Sequence, residues 1–104
     1  MMFYKDKIRE VFYNEKWRQA TAKLVEEKVL DEKEYKIFTA ICVIAYEYGE
    51  GDILAGLVLD KMAENETCKK VFKKVFGKTP LNHSIIYSAF FDTEYFKVLR
   101  DILK

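Results

Sequence analysis

A chain of 104 residues has the length of one domain and is too short for two independent cores. Half of its residues are hydrophobic, with eight Phe, seven Tyr and one Trp, which is enough large apolar surface to close a core without disulfides or metals. Eighteen Lys and Arg against 17 Asp and Glu leave a formal net charge of +1, a balance that argues against a dedicated polyanion binder and equally against an acidic mimic of nucleic acid.

The opening segment MMFYKDKIRE carries charges at positions 5, 6, 7, 9 and 10, which interrupt any signal-peptide core. Tyr4, Ile8, Val11 and Phe12 then fall on one face of a first helix that Asn14 interrupts or caps. Trp17, Ala20, Thr21, Leu24 and Val25 continue an apolar stripe to about Val29, as two helices or one kinked one. Asp31 with Glu34 three residues later is a capping-box pattern, in which the Asp oxygen takes an orphan amide and the Glu reaches back.

The helix that starts there, at about residues 32 to 48, becomes apolar nearly all round through IFTAICVIAY and is predicted to lie at the centre of the fold. Its uncharged stretch, Ile37 to Tyr46, falls far short of the ~20 residues of a membrane span, so no membrane partner is expected, and the interrupted signal-peptide core with two free thiols gives the expectation of a cytoplasmic location. The β-branched run from Ile41 to Ile44 is the one place where a strand competes with this reading. Gly49-Glu50-Gly51 ends the helix, and Asp52 caps the next, whose apolar side is read as Ile53, Leu54, Leu57, Val58 and Met62 and which fades near Asn65.

Cys68, Val71, Phe72, Val75 and Phe76 recur at the spacing of one helical face, with Lys69, Lys70, Lys73 and Lys74 opposite, and Gly77 stops that helix. Thr79-Pro80 is a start signal for a helix to about Phe90, and Asp92 or Thr93 caps a last one carrying Phe96, Leu99, Ile102 and Leu103. Short connections force these segments to turn back on one another. The fold predicted for residues 1–104 is a single all-α domain, a compact irregular or orthogonal bundle of about six or seven short helices.

Charge is distributed in blocks. Residues 1–30 carry a net of +2, residues 31–66 a net of −6 and residues 67–104 a net of +5. Such polarity favours oriented docking to a charged protein or head-to-tail self-association, unless the segments interleave in space.

Motifs for chemistry are sparse. His83 is the sole histidine and stands beside Asn82 and Ser84 with no recognisable nucleophile, so it reads as a surface or capping residue. One His and the two distant cysteines, Cys42 and Cys68, do not make a closed zinc set, and the cysteines read as buried free thiols. Glu47, Glu50 and Asp52 around the glycine turn lack the spacing of a calcium loop. No catalytic, metal or cofactor site is predicted.

Two surface readings follow. Tyr46, Tyr48, Phe90, Phe91 and Tyr95 sit near predicted helix ends, and rigid rings are favoured where proteins bind one another. The leading expectation is a small non-enzymatic protein-interaction module that binds a larger protein or itself, in the manner of a regulator or inhibitor. The alternative is a nucleic-acid-binding regulator that neutralises phosphates with Lys69, Lys70, Lys73, Lys74 and Lys78.

Two strings bear on that alternative. VFKKVFGKTP at 71–80 resembles the closing segment of the AraC-type helix-turn-helix, and IAYEYGEGD at 44–52 resembles its opening segment. The resemblance implies a DNA-reading unit, but the gap between the strings is longer by about a dozen residues, and the Ser and Arg of the recognition helix are missing. An amphipathic helix ending in Gly-x-Thr-Pro produces the same closing string for packing and capping reasons alone.

Overall fold

The computed structural model describes residues 4–27 and 29–104. Met1 to Phe3, at the start of the predicted domain, and Lys28, within the second predicted stripe, lie outside the described residues. The described residues form eight helices and no strand: α1 (Tyr4–Phe12), α2 (Glu15–Ala20), α3 (Ala22–Glu26), α4 (Glu32–Gly49), α5 (Ile53–Glu64), α6 (Glu66–Phe76), α7 (His83–Phe91) and α8 (Glu94–Leu103). They pack into a globule of 34 × 29 × 22 Å.

Helix α4 is the axis of the bundle, 18 residues long and so about 27 Å at the rise of an α-helix. It packs against α1, α3, α5, α6, α7 and α8. An element enclosed by so many neighbours has no need of a polar side, which explains why Ile41 through Tyr46 are all buried and why the β-branched run stays helical. The capping box forms as the spacing predicts: the Glu34 amide donates to Asp31 at 2.8 Å and the Asp31 amide to the Glu34 carboxylate at 3.2 Å.

The stripe from 15 to 29 resolves into two helices broken at Thr21. Its hydroxyl donates to the Trp17 carbonyl at 2.7 Å, the back-bond that bends or ends a helix. Having spent its hydrogen there, Thr21 accepts from the Tyr35 phenol at 2.8 Å. One turn further along α4, Thr39 accepts from the Trp17 indole at 3.0 Å and donates to the Tyr35 carbonyl. These bonds tie α2 and its end to α4 across the core, and among the described residues no buried side-chain nitrogen or oxygen lacks a partner.

One predicted boundary moves. Thr79-Pro80 does not open a helix; α7 begins at His83, with Asn82 accepting from the Ile85 amide at 3.1 Å. Pro80 is instead buried in the extended connection after Gly77, which adopts the left-handed backbone (φ 73°) that glycine tolerates. Before α8, Asp92 closes α7 and Thr93 takes the N-cap position, one of the two expected there, with its hydroxyl donating backwards to the Phe90 carbonyl at 2.6 Å rather than accepting from an amide of α8.

Candidate interaction surfaces

Helix α5 departs most from the sequence expectation. Its run ILAGLVL is apolar all round, so periodicity alone does not say which side turns inward. Sterics decide: Ala55, Gly56, Leu59 and Ala63 face α4 and the core, and a Cβ on Gly56 would stand 3.0 Å from the Tyr48 ring. Small residues inward bring α5 close, and Ile53, Leu54 and Leu57 are left outside. Ile53 is 81 % and Leu57 58 % exposed, with Leu54 exposed beside them, although all three were expected on the buried side. Spacing places them within about 100° of arc on one face.

Beside that face runs a seam of rings. The Tyr48 ring meets His83 edge-on at 4.9 Å and Tyr87 at 5.3 Å between centroids, and Tyr87 leads to Phe91 at 5.5 Å. A shallow groove of about 310 Å³ between Tyr48, Gly49, Gly51, Asp52, Ile53 and Tyr87 joins the seam to the start of α5. Leu81, in the connection before α7, is also exposed.

Of the five aromatics singled out by sequence, Tyr48 and Phe91 belong to this seam. Tyr46 and Phe90 are buried and take no part in any surface. Both pack on Phe96, at 5.6 Å each, because α8 folds across the end of α7 and inserts that ring. Tyr95 is half-buried against Trp17 and Phe38. Ile53, Leu54, Leu57 and Tyr87 were missed as surface residues; the signal that marks the outer face of α5 is the inward spacing of Ala55, Gly56 and Ala63.

His83 is a fastener between helices. Asp60 of α5 accepts from its backbone amide at 2.7 Å and bonds its ring Nδ1 at 2.8 Å. These bonds, the backbone one foremost, hold the Asp60 carboxyl below its ordinary pKa. The turn carboxylates are similarly engaged: Glu47 pairs with Lys7 at 2.6 Å, and Asp52 caps α5 while accepting from the Tyr4 phenol at 2.6 Å. The free thiols Cys42 and Cys68 are buried and half-buried, and burial raises both pKa values, away from the reactive thiolate. Among the described residues no three His, Cys, Asp or Glu side chains are grouped so that they could hold a metal ion.

The lysines of α6 do lie on one side of the helix, but acid is interleaved with them. Lys74 pairs with Glu34 at 2.8 Å and Lys69 with Glu66 at 3.3 Å. Lys70 shares a surface groove with Asp31, Glu34 and Glu66. Lys73 and Lys78 are exposed. The acidic and basic blocks of the sequence thus meet and partly cancel where α4 and α6 pack.

A cationic groove lies elsewhere, between α1 and the first half of α4. It holds about 450 Å³, with Ile8, Ile37 and Ala40 as floor and Lys5, Arg9, Lys33 and Lys36 around it. Its four charges come from two helices far apart in sequence, so no local pattern announces it.

No known protein family, curated protein or solved structure matches the chain.

Proposed function

We propose that the chain works as a non-enzymatic protein-binding module whose docking face is the outer side of α5 together with the Tyr48–Tyr87–Phe91 seam. One observation carries the reading: α5 turns Ala55, Gly56, Leu59 and Ala63 inward and Ile53, Leu54 and Leu57 to solvent. Three large aliphatic side chains on one arc of a helix, continuous with an aromatic groove, form the kind of patch that a partner's side chains bury. A small chain with such a face acts by occupying a surface of a larger protein, as a regulator or inhibitor does.

The nucleic-acid reading has less support, because Glu34 and Glu66 neutralise part of the α6 stripe. It retains Lys70, Lys73 and Lys78, and predicts an affinity for nucleic acid that collapses with added salt.

The docking role is tested by immobilising the wild-type protein and a Leu57→Asp variant in parallel, passing over both an extract of the cells that make the protein, and quantifying what each retains. At least one protein held by the wild type and reduced about tenfold with the variant is expected, the loss of one hot-spot contact. An identical retained set speaks against the α5 face.

A further inference from the structure

The molecule carries two apolar surfaces of opposite rim charge, and each has what the other lacks. In the α1/α4 groove, Lys5 and Arg9 are one turn apart on α1, and Lys33 and Lys36 one turn apart on α4, so each pair stands on one side of its helix as a cationic rail. Ile8, Ile37 and Ala40 line the groove with them, and among the described residues no carboxylate does. An occupant must bring apolar side chains to the floor and negative charge to both edges.

The outer face of α5 meets that description. Ile53, Leu54 and Leu57 supply the apolar side chains. Glu50 stands just before them, and Asp60, engaged by His83, follows Leu57 at i+3 and Glu64 at i+7 on the same side of the helix. Lys61 is the one cation on that arc, so three carboxylates stand against one ammonium. Glu50 and Glu64 are exposed.

We infer that the α5 face of one copy seats in the α1/α4 groove of a second copy, so that the chain self-associates head to tail. The inference rests on the docking role proposed for α5 and names its occupant. Charge dictates the pairing: two α5 faces together oppose Glu50, Asp60 and Glu64 to their own kind, and two grooves oppose four cations to four, whereas face on groove pairs opposite signs over apolar side chains. The two surfaces share no residue, so one copy can use both and the contact is heterologous, extending to a ring or a chain. Three aliphatics and one groove make a small interface, which places the association at high concentration.

The test is sedimentation equilibrium of the wild type, of a groove variant (Lys33→Glu with Lys36→Glu) and of a face variant (Leu57→Glu, with Ile53→Lys as a second substitution on that face), each checked for an unchanged thermal melt. For the wild type, a mass that rises between about 10 μM and 1 mM and falls back in about 0.5 M salt is expected. Each variant alone remains monomeric, and an equimolar mixture of the two forms a one-to-one dimer that grows no further, because each supplies the surface the other has lost.

Three results overturn the inference: a wild type that is monomeric throughout, a groove variant that associates as well as the wild type, or a mixture that stays monomeric. A monomeric wild type whose capture of a foreign protein still depends on Leu57 removes the groove as occupant and leaves the docking role of α5 standing. If that capture is also indifferent to Leu57, both readings fall.

Discussion

The ring of Tyr48 lies against the backbone of Gly56, 3.0 Å from where a Cβ would be. That approach sets how near α5 comes to α4, and it makes a substitution at Gly56 informative. Alanine inside a helix is favoured over glycine by about 1 kcal/mol, but here its methyl presses on a ring held between His83 and Tyr87. Overpacking costs about 1–3 kcal/mol. Gly56→Ala is therefore expected to destabilise the protein, and in a Tyr48→Ala background the same change is expected to stabilise it. Chemical denaturation of the four proteins of this cycle reads the reversal of sign.

Thr39→Val keeps the shape of the side chain and removes the acceptor of the Trp17 indole. The buried N–H, bonded at 3.0 Å in the native protein, is then left without a partner. A loss of about 1–3 kcal/mol is expected in urea unfolding followed by tryptophan fluorescence.

Three carboxyls, Glu34, Asp52 and Asp60, have pKa values below the ordinary range. The first cause is, in turn, the Lys74 hydrogen bond, the Tyr4 phenol and the His83 amide. A folded-state pKa below the unfolded one means that the stabilisation is complete above the ordinary carboxylate range near 4 and is lost as pH falls through the lowered values. The melting temperature is expected to hold from pH 7 to about 5 and to drop below that. Asp52→Asn retains a capping oxygen without its titration, so the acid slope becomes shallower. Tyr4→Phe moves the Asp52 titration upward in carboxyl-detected NMR.

The thiols separate by burial. Cys68 is half-buried on α6 and Cys42 is sealed within α4. A disulfide reagent is expected to modify one thiol per chain in native buffer and the second only in denaturant, with peptide mapping placing the first at Cys68.

Much of this architecture was legible in the sequence, because caps and periodicity are local signals. Asp31 with Glu34, Asp52 before α5 and Gly77 after α6 stand where their chemistry requires. The unbroken apolar run of α4 announced its place at the centre. What the sequence concealed depends on neighbours. An all-apolar stretch such as Ile53 to Leu59 has no polar side to orient it, only the spacing of its small residues, and the Gly56–Tyr48 contact shows which way those face. Tyr46 and Phe90 resembled surface rings because they lie near helix ends, until α8 placed Phe96 between them. The α1/α4 groove needed two helices to be brought together before its charges became one feature.

The central claim is that α5 presents Ile53, Leu54 and Leu57 to solvent, and two leucines two positions apart test it most directly. Leu57 is open and Leu59 is sealed in the core. Leu59→Ala is expected to cost about 2–5 kcal/mol, and Leu57→Ala to stay within about 0.5 kcal/mol of wild type, both from urea unfolding of the isolated protein at a concentration low enough to keep it monomeric. Equal losses at the two positions, or a larger loss at Leu57, would contradict the account.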